Sequence, residues 1–163
     1  MQEAAEAVAG VAIRRATAAD ARPVATMITR LVGEFVEDGP EAAGPDDGVL
    51  TCARRMLALR DSVFGLIAEA EGAPVGVLMV NERAALTAGD VYGKLTELYI
   101  CPRWRGRGVA GALLDAAAAL GRERGWTRLE IGRPTTLDRS KAEALFAAKG
   151  FRPADQRLRL PLR

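Results

Sequence analysis

The chain of 163 residues contains no histidine. That absence excludes Ser-His-Asp and Cys-His catalysis and any histidine-ligated metal centre. It has only two cysteines, Cys52 and Cys101, far apart and outside any CxxC pair. They show no metal-ligand spacing, so no metal is expected, and free thiols are the expected state. Aromatic residues are 5% of the chain, so the core must rest on Leu, Val, Ile and Ala. The net charge of +2 is too small to argue for a nucleic-acid partner. No apolar run reaches the length of a membrane span. The acidic start, Met-Gln-Glu-Ala-Ala-Glu, lacks the basic region of a signal peptide. A cytoplasmic protein without a membrane or nucleic-acid partner is the expectation. The P-loop pattern GxxxxGK[ST] is missing too, which argues against nucleotide hydrolysis.

What is present is a soluble-globular composition, 49% hydrophobic and 27% charged. The length suits one domain with a real core. Residues 1–10 read as a disordered lead-in, and 11–163 as one domain. A strand is expected at 11–17. A helix follows, capped by Thr17 or Asp20, with Val24, Ile28, Leu31, Val32 and Phe35 at helical spacing. After a Gly-Pro and Asp-Asp-Gly loop comes a short helix over 49–60. Strands are expected at 63–70 and 74–81, joined as a hairpin through Glu71-Gly72-Ala73. Another is expected at 91–101. Val109, Leu113, Leu114, Ala117 and Leu120 stripe a long helix closed by Gly125. A strand at 127–132, a helix at 137–149 and a strand at 156–160 complete the pattern. Hairpin-linked strands followed by strands alternating with helices predict an α/β fold with a mixed sheet.

The stretch between the strand at 91–101 and the next helix carries the chemistry. It reads Arg103-Trp104-Arg105-Gly106-Arg107-Gly108-Val109-Ala110. A helix start offers unpaired backbone N–H groups and the positive end of the helix dipole. Glycines let a ligand approach the backbone. Strand, Gly-x-Gly and helix together form a natural phosphate cradle, and three arginines add positive charge. A dinucleotide fingerprint fits poorly, because Gly106-Arg107-Gly108-Val109-Ala110-Gly111 follows the fourth strand instead of the first. A solvated turn and an RNA-phosphate contact are the competing readings. Sparse aromatic residues weaken the RNA reading.

Arg105-Gly106-Arg107-Gly108-Val109-Ala110 resembles the acyl-coenzyme A loop of the GNAT superfamily of N-acetyltransferases, whose pattern is Gln/Arg-x-x-Gly-x-Gly/Ala. Leu98-Tyr99-Ile100-Cys101-Pro102 is similar to the strand end before that loop, and Leu113-Leu114 to the helix after it. Residues 142–151, ending in Gly150-Phe151, resemble the family's late helix, and Ile13 to Asp20 its opening. The resemblance runs from about residue 11 to the C-terminus. It implies a mostly antiparallel sheet with one splayed parallel pair, here 95–101 and 127–132, flanked by about four helices. It also implies acetyl-CoA as co-substrate. Backbone groups of Leu98, Tyr99 and Ile100 would meet the pantetheine arm. Arg105, Gly106, Arg107, Gly108, Val109, Ala110 and Gly111 would hold the pyrophosphate. An amide near Ile100 would polarise the thioester carbonyl.

An alkylamine is protonated at neutral pH, so the site needs a base. Glu97, on the same strand face as Tyr99 by period-two alternation, is the first candidate, and Glu130 the second. For each, an ion pair with a neighbouring arginine is the competing reading. The resemblance places Phe146 where the family often has a tyrosine acid. Tyr99 is the substitute if it faces the cleft, although a thiolate can leave unaided. Glu34, Glu37, Asp38, Glu41, Asp46 and Asp47 are an acidic rim for a cationic amine, or else a solvated loop. The expected partner is a small-molecule or peptide amine. The resemblance also admits a homodimer. The competing function is an acyl-CoA sensor without turnover.

Overall fold

The computed structural model describes residues 8–35, 44–132 and 139–154. The final strand expected at 156–160 lies outside the described residues, as do 1–7 of the lead-in. Five strands form one sheet in chain order: β1 (Val11–Arg15), β2 (Val63–Ala70), β3 (Ala73–Ala85), β4 (Asp90–Ile100) and β5 (Leu129–Ile131). The first three pairings are antiparallel, and β4–β5 is parallel. This is the mixed sheet expected from the sequence. Four α-helices flank it among the described residues: α1 (Ala21–Gly33), α2 (Asp47–Ala58), α3 (Val109–Arg124) and α4 (Arg139–Ala148).

Local chemistry sets the turns. Glu71 and Gly72 both take positive φ, 53° and 76°, which suits a two-residue turn between twisted strands. The expected strand at 74–81 is longer, because β3 and β4 continue as an antiparallel ribbon out to Ala85 and Asp90. Asp46 caps α2, its carboxylate accepting from the N–H groups of Gly48 and Val49 at 2.8 and 3.0 Å. Before α1, the Asp20 carboxylate accepts the Thr17 N–H at 2.7 Å and two Arg14 N–H groups at 2.8 and 2.9 Å. Arg14 also donates twice to Glu69, tying β1 to β2 and to the helix start. These partners hold the Asp20 carboxyl down at about 2.

Both faces of the sheet are covered, which is why β2 and β3 read as nearly continuous apolar runs. On the α3 face pack Phe64, Leu66, Leu78, Val80, Leu95, Leu113 and Trp126. On the α1/α2 face pack Val24, Met27, Leu57, Ile67, Val77 and Tyr99. Neighbouring residues such as Leu66 and Ile67 go to opposite faces, as strand alternation requires. Cys52 and Cys101 are free. Among the described residues no helix is long and apolar enough to cross a membrane.

Candidate active site

The site is built where β4 leaves its neighbour. β4 and β5 pair only from Gly93–Leu129 to Leu95–Ile131, and β4 then runs on to Ile100. Between these two parts of β4 lies a bulge. Leu95 faces Val80 and Glu97 faces Met79, so Thr96 has no partner on β3. The extra residue reverses the alternation. Before it, the Gly93 N–H points at β5 and bonds the Arg128 carbonyl at 3.0 Å. After it, the Cys101 N–H points at β3 and bonds the Val75 carbonyl at 2.8 Å. Glu97 and Tyr99 share the phase of Cys101, so their backbone groups belong to the β3 ladder. Those of Leu98 and Ile100 point to the open side, where β5 has stopped pairing.

Side chains follow the same reversal. Leu95, Leu98 and Ile100 all pack on the α3 face, and Tyr99 packs on the α1/α2 face. Glu97 therefore sits on the Tyr99 face, as period-two counting from Tyr99 expects. Without the bulge it would point into the α3 core. The expectation that Tyr99 offers its backbone beside Leu98 and Ile100 is corrected by the ladder phase.

Beyond Ile100, residues Pro102–Trp104 form a short 3-10 turn, with Trp104 buried under α3. Gly106 and Gly108 then take left-handed φ of 72° and 84°, which bends the chain into α3. The buried Val109 side chain anchors the helix start. The first helical bond runs from the Ala112 N–H to the Gly108 carbonyl at 3.0 Å. The amides of Val109, Ala110 and Gly111 consequently have no helical acceptor. A Cβ on Gly106 would meet nothing within 4 Å, so this side of the loop is open. A Cβ on Gly111 would lie 3.2 Å from the Lys149 side chain.

The three arginines divide. Arg103 pairs with Glu71 at 3.5 Å on the surface. Arg107 lies over the Trp104 ring, 4.9 Å from its centroid, without a carboxylate partner among the described residues. Arg105 turns back to β4. Its Nε donates to the Ile100 carbonyl at 2.9 Å, it donates to Glu34, and it covers the Tyr99 ring at 5.5 Å. The side chain expected on the pyrophosphate is engaged with the strand end, and Glu34, expected on the acidic rim, is already paired. Glu37, Asp38 and Glu41 lie outside the described residues. Asp46 is occupied as a helix cap.

The two candidate bases also separate. Glu130 accepts from Arg128 Nε at 3.0 Å, and Arg128 also holds Asp90 at 2.6 Å. That is the ion pair that competed with catalysis in reading its sequence. Glu97 is half-buried and has no cationic partner among the described residues. Burial pushes its carboxyl upward, and a hydrogen bond from the Thr96 hydroxyl acts the other way. Tyr99 is only 3% exposed, and burial raises its phenol further. Phe146 makes an edge-to-face pair with Phe151, centroids 5.6 Å apart, and is packing. Two residues went unnoticed in the sequence. Thr96 leaves no mark there, because a bulge is a tertiary event. Arg30 did carry a signal, since it shares a helix stripe with Met27 and Glu34.

Comparisons with known proteins agree with this architecture. The model of the acetyltransferase (GNAT) family matches residues 28–151. No curated protein matches the chain. Among solved structures, an aminoglycoside acetyltransferase from an uncultured soil metagenomic sample is 21% identical, with TM-score 0.75, covering 94% of this chain and 99% of the other. A ribosomal-protein-alanine N-acetyltransferase from Brucella melitensis biovar Abortus 2308 is 22% identical, with TM-score 0.71, covering 93% and 97%. A predicted acetyltransferase from Clostridium acetobutylicum, solved with acetyl-CoA, is 20% identical, with TM-score 0.71, covering 93% and 96%.

Proposed function

Because the chain belongs to the acetyltransferase (GNAT) family, we propose that it transfers an acetyl group from acetyl-CoA to a primary amine while both are bound. The observation that carries this reading is the juxtaposition at the end of β4. An unpaired strand edge leads into an open glycine turn and a helix start with unused amides. On the neighbouring sheet face stands Glu97, half-buried and without a cationic partner among the described residues.

These features fit the donor part by part. The free backbone groups of Leu98 would hold an amide-containing arm. The turn at Gly106 and Gly108, with the amides of Val109, Ala110 and Gly111, would hold a pyrophosphate. Arg107 is the loop cation best placed to add charge, since Arg105 is spent on Ile100 and Glu34. Acetyl-CoA supplies the acyl thioester. The Ile100 N–H is the group assigned to its carbonyl oxygen.

Glu97 accepts the proton that an ammonium must shed, directly or through one water. Its environment suits this, because a raised carboxyl pKa lies nearer the working pH than an ordinary one. Glu130 acts in structure, through Arg128. No general acid is required, because a thiol near pKa 8.5 leaves readily as thiolate. The amine class is supported by the names of two solved neighbours, one acting on ribosomal-protein alanine and one on aminoglycosides.

The test is CoA thiol release from acetyl-CoA with purified protein and amino acids, short peptides, polyamines and aminoglycosides. Release that depends on one amine class is expected. Acetyl-CoA binding with no release from any amine would overturn the reading in favour of a sensor.

A further inference from the structure

The acceptor half of the site holds two polar groups that the mechanism above does not use. Met27, Arg30 and Glu34 lie three and four residues apart on α1, so they form one stripe of the helix. Met27 packs in the same cluster as Tyr99, which brings the stripe against β4. Arg30 and Glu34 have the spacing of an ion pair, yet the Glu34 carboxylate is bonded to Arg105 instead. Arg30 is left half-buried, and its Nε is buried with no hydrogen-bond partner. Tyr99 is 3% exposed, and its hydroxyl makes no hydrogen bond among the described residues yet is not sealed from solvent. Arg105 covers the Tyr99 ring at 5.5 Å and bonds Glu34, Glu34 stands one turn beyond Arg30, and Met27 one turn before it packs with Tyr99, so the four groups share one corner of the fold.

A guanidinium nitrogen buried without an acceptor costs stability, and a neighbouring hydroxyl with no protein partner is available to donate. Both are donors, and one anionic oxygen group would satisfy both. The charge count agrees, since Glu34 is neutralised by Arg105 and Arg30 remains in excess. Position also separates this place from the donor. Pyrophosphate belongs at the N-terminus of α3, whereas Arg30 and Tyr99 are on the α1/α2 face, the face of Glu97.

We infer that Arg30 and the Tyr99 hydroxyl form an anion subsite for the acceptor, so the amine acetylated carries a carboxylate or phosphate beside it. The inference rests on the transferase reading for the word acceptor. It selects amino acids and other zwitterionic amines over polycations, and it replaces the acidic rim expected from the loop composition.

The experiment compares acceptors that differ only in the anion: amino acids against their α-amides, and O-phosphoethanolamine against ethanolamine. The readout is the ratio of kcat/KM within each pair, for wild type, Arg30→Gln, Arg30→Lys and Tyr99→Phe. A charge-assisted hydrogen bond of the usual strength corresponds to a ratio of roughly 10 to 100 favouring the anionic member. Arg30→Gln should bring that ratio close to one, Arg30→Lys should restore part of it, and Tyr99→Phe should lower it. Acetyl-CoA affinity in each variant reports the fold. A ratio near one in wild type, or a loss in Arg30→Gln that is equal for both members, would overturn the subsite. So would preferential turnover of polyamines or aminoglycosides. The amino-acid pairs against the phosphate pair decide which anion it is. Titration of N-acetyl amino acids and their amides into the protein needs no turnover. Binding there that depends on the carboxylate and on Arg30, in a protein that releases no CoA, would sustain the subsite and refute the transferase reading. Equal binding of acid and amide would remove the subsite.

Discussion

Gly93→Ala tests whether the β4–β5 junction sets the fork, the point past Leu95 and Ile131 where the two strands stop pairing. An ideal Cβ at Gly93 would lie 2.5 and 2.6 Å from Trp126 ring carbons and 2.7 Å from Leu129 Cδ2. Ordinary carbon contacts are near 3.5–4.0 Å, so about 1 Å of movement is needed. Trp126 cannot readily yield. It is buried, its indole N–H donates to Glu82 at 2.6 Å, and it packs edge-on against Phe64 at 5.6 Å. Relief must come from moving β5, which strains the Gly93 N–H bond to Arg128 at 3.0 Å. Overpacking of a buried site by one methyl costs about 1–3 kcal/mol, and this clash with a fixed ring belongs at the upper end, about 3 kcal/mol. For a chain of this size that is a fall in Tm of roughly 6–12 °C. Calorimetry on wild type and variant measures it. Gly121→Ala is the internal control, because its Cβ would meet the same ring at 3.0 Å. There, about 1 kcal/mol of helix propensity offsets the tighter contact, and stability should stay within about 1 kcal/mol of wild type. Equal stability of the two variants would refute the packing argument. Loss of stability in Gly93→Ala with unchanged acetyl-CoA affinity would refute the link between this junction and the fork.

Four further outcomes follow from the same structure. Glu97→Gln should lower kcat by roughly 100-fold or more at unchanged acetyl-CoA affinity, whereas Glu130→Gln should act mainly on Tm; the reverse order would move the base to Glu130. In wild type, raising pH through the elevated Glu97 pKa should increase kcat, and that limb should vanish in Glu97→Gln; a limb that persists belongs to another group. Gly108→Glu places a side chain at φ 84° and a negative charge at the helix start, and should weaken acetyl-CoA binding by about 100-fold; full affinity would misplace the pyrophosphate. Asp20→Asn should cost about 1–2 kcal/mol at pH 7, below the full value of its shift from 3.8 to about 2 because Arg14 is partly exposed. A lowered pKa stabilises above the unfolded value of 3.8 and is lost as pH falls through about 2, so the difference in Tm should shrink in that window. A constant difference down to pH 2 would assign the effect to the cap geometry instead.

Some of this protein is written locally. The glycines of the loop, the amphipathic stripe of α3 and the turn at Glu71-Gly72 obey rules that reach only a few residues along the chain. They were legible without coordinates, as was the order of elements among the described residues. Family membership followed from the same short patterns read in order. The choice between Glu97 and Glu130 was not legible, because both stand in apolar strands and either could have met an arginine. Arg128 stands two residues from Glu130 and pairs with it locally, the sheet adds Asp90 to that arginine, and among the described residues no cation reaches Glu97. Arg105 belongs to the loop motif by sequence, yet the end of α1 offers it Glu34 and the strand end offers it a carbonyl. A guanidinium goes to the nearest fixed acceptors, which the one-dimensional pattern cannot locate. The bulge at Thr96 is the clearest case. A single unpaired residue exchanges both side-chain face and backbone direction for everything after it, and period-two counting across it gives the wrong face. The local sequence thus determined which elements form and where the chain turns through glycines into α3. The packing of those elements against one another decided which side chains stay unpaired, and unpaired groups in a cleft are the ones left for chemistry.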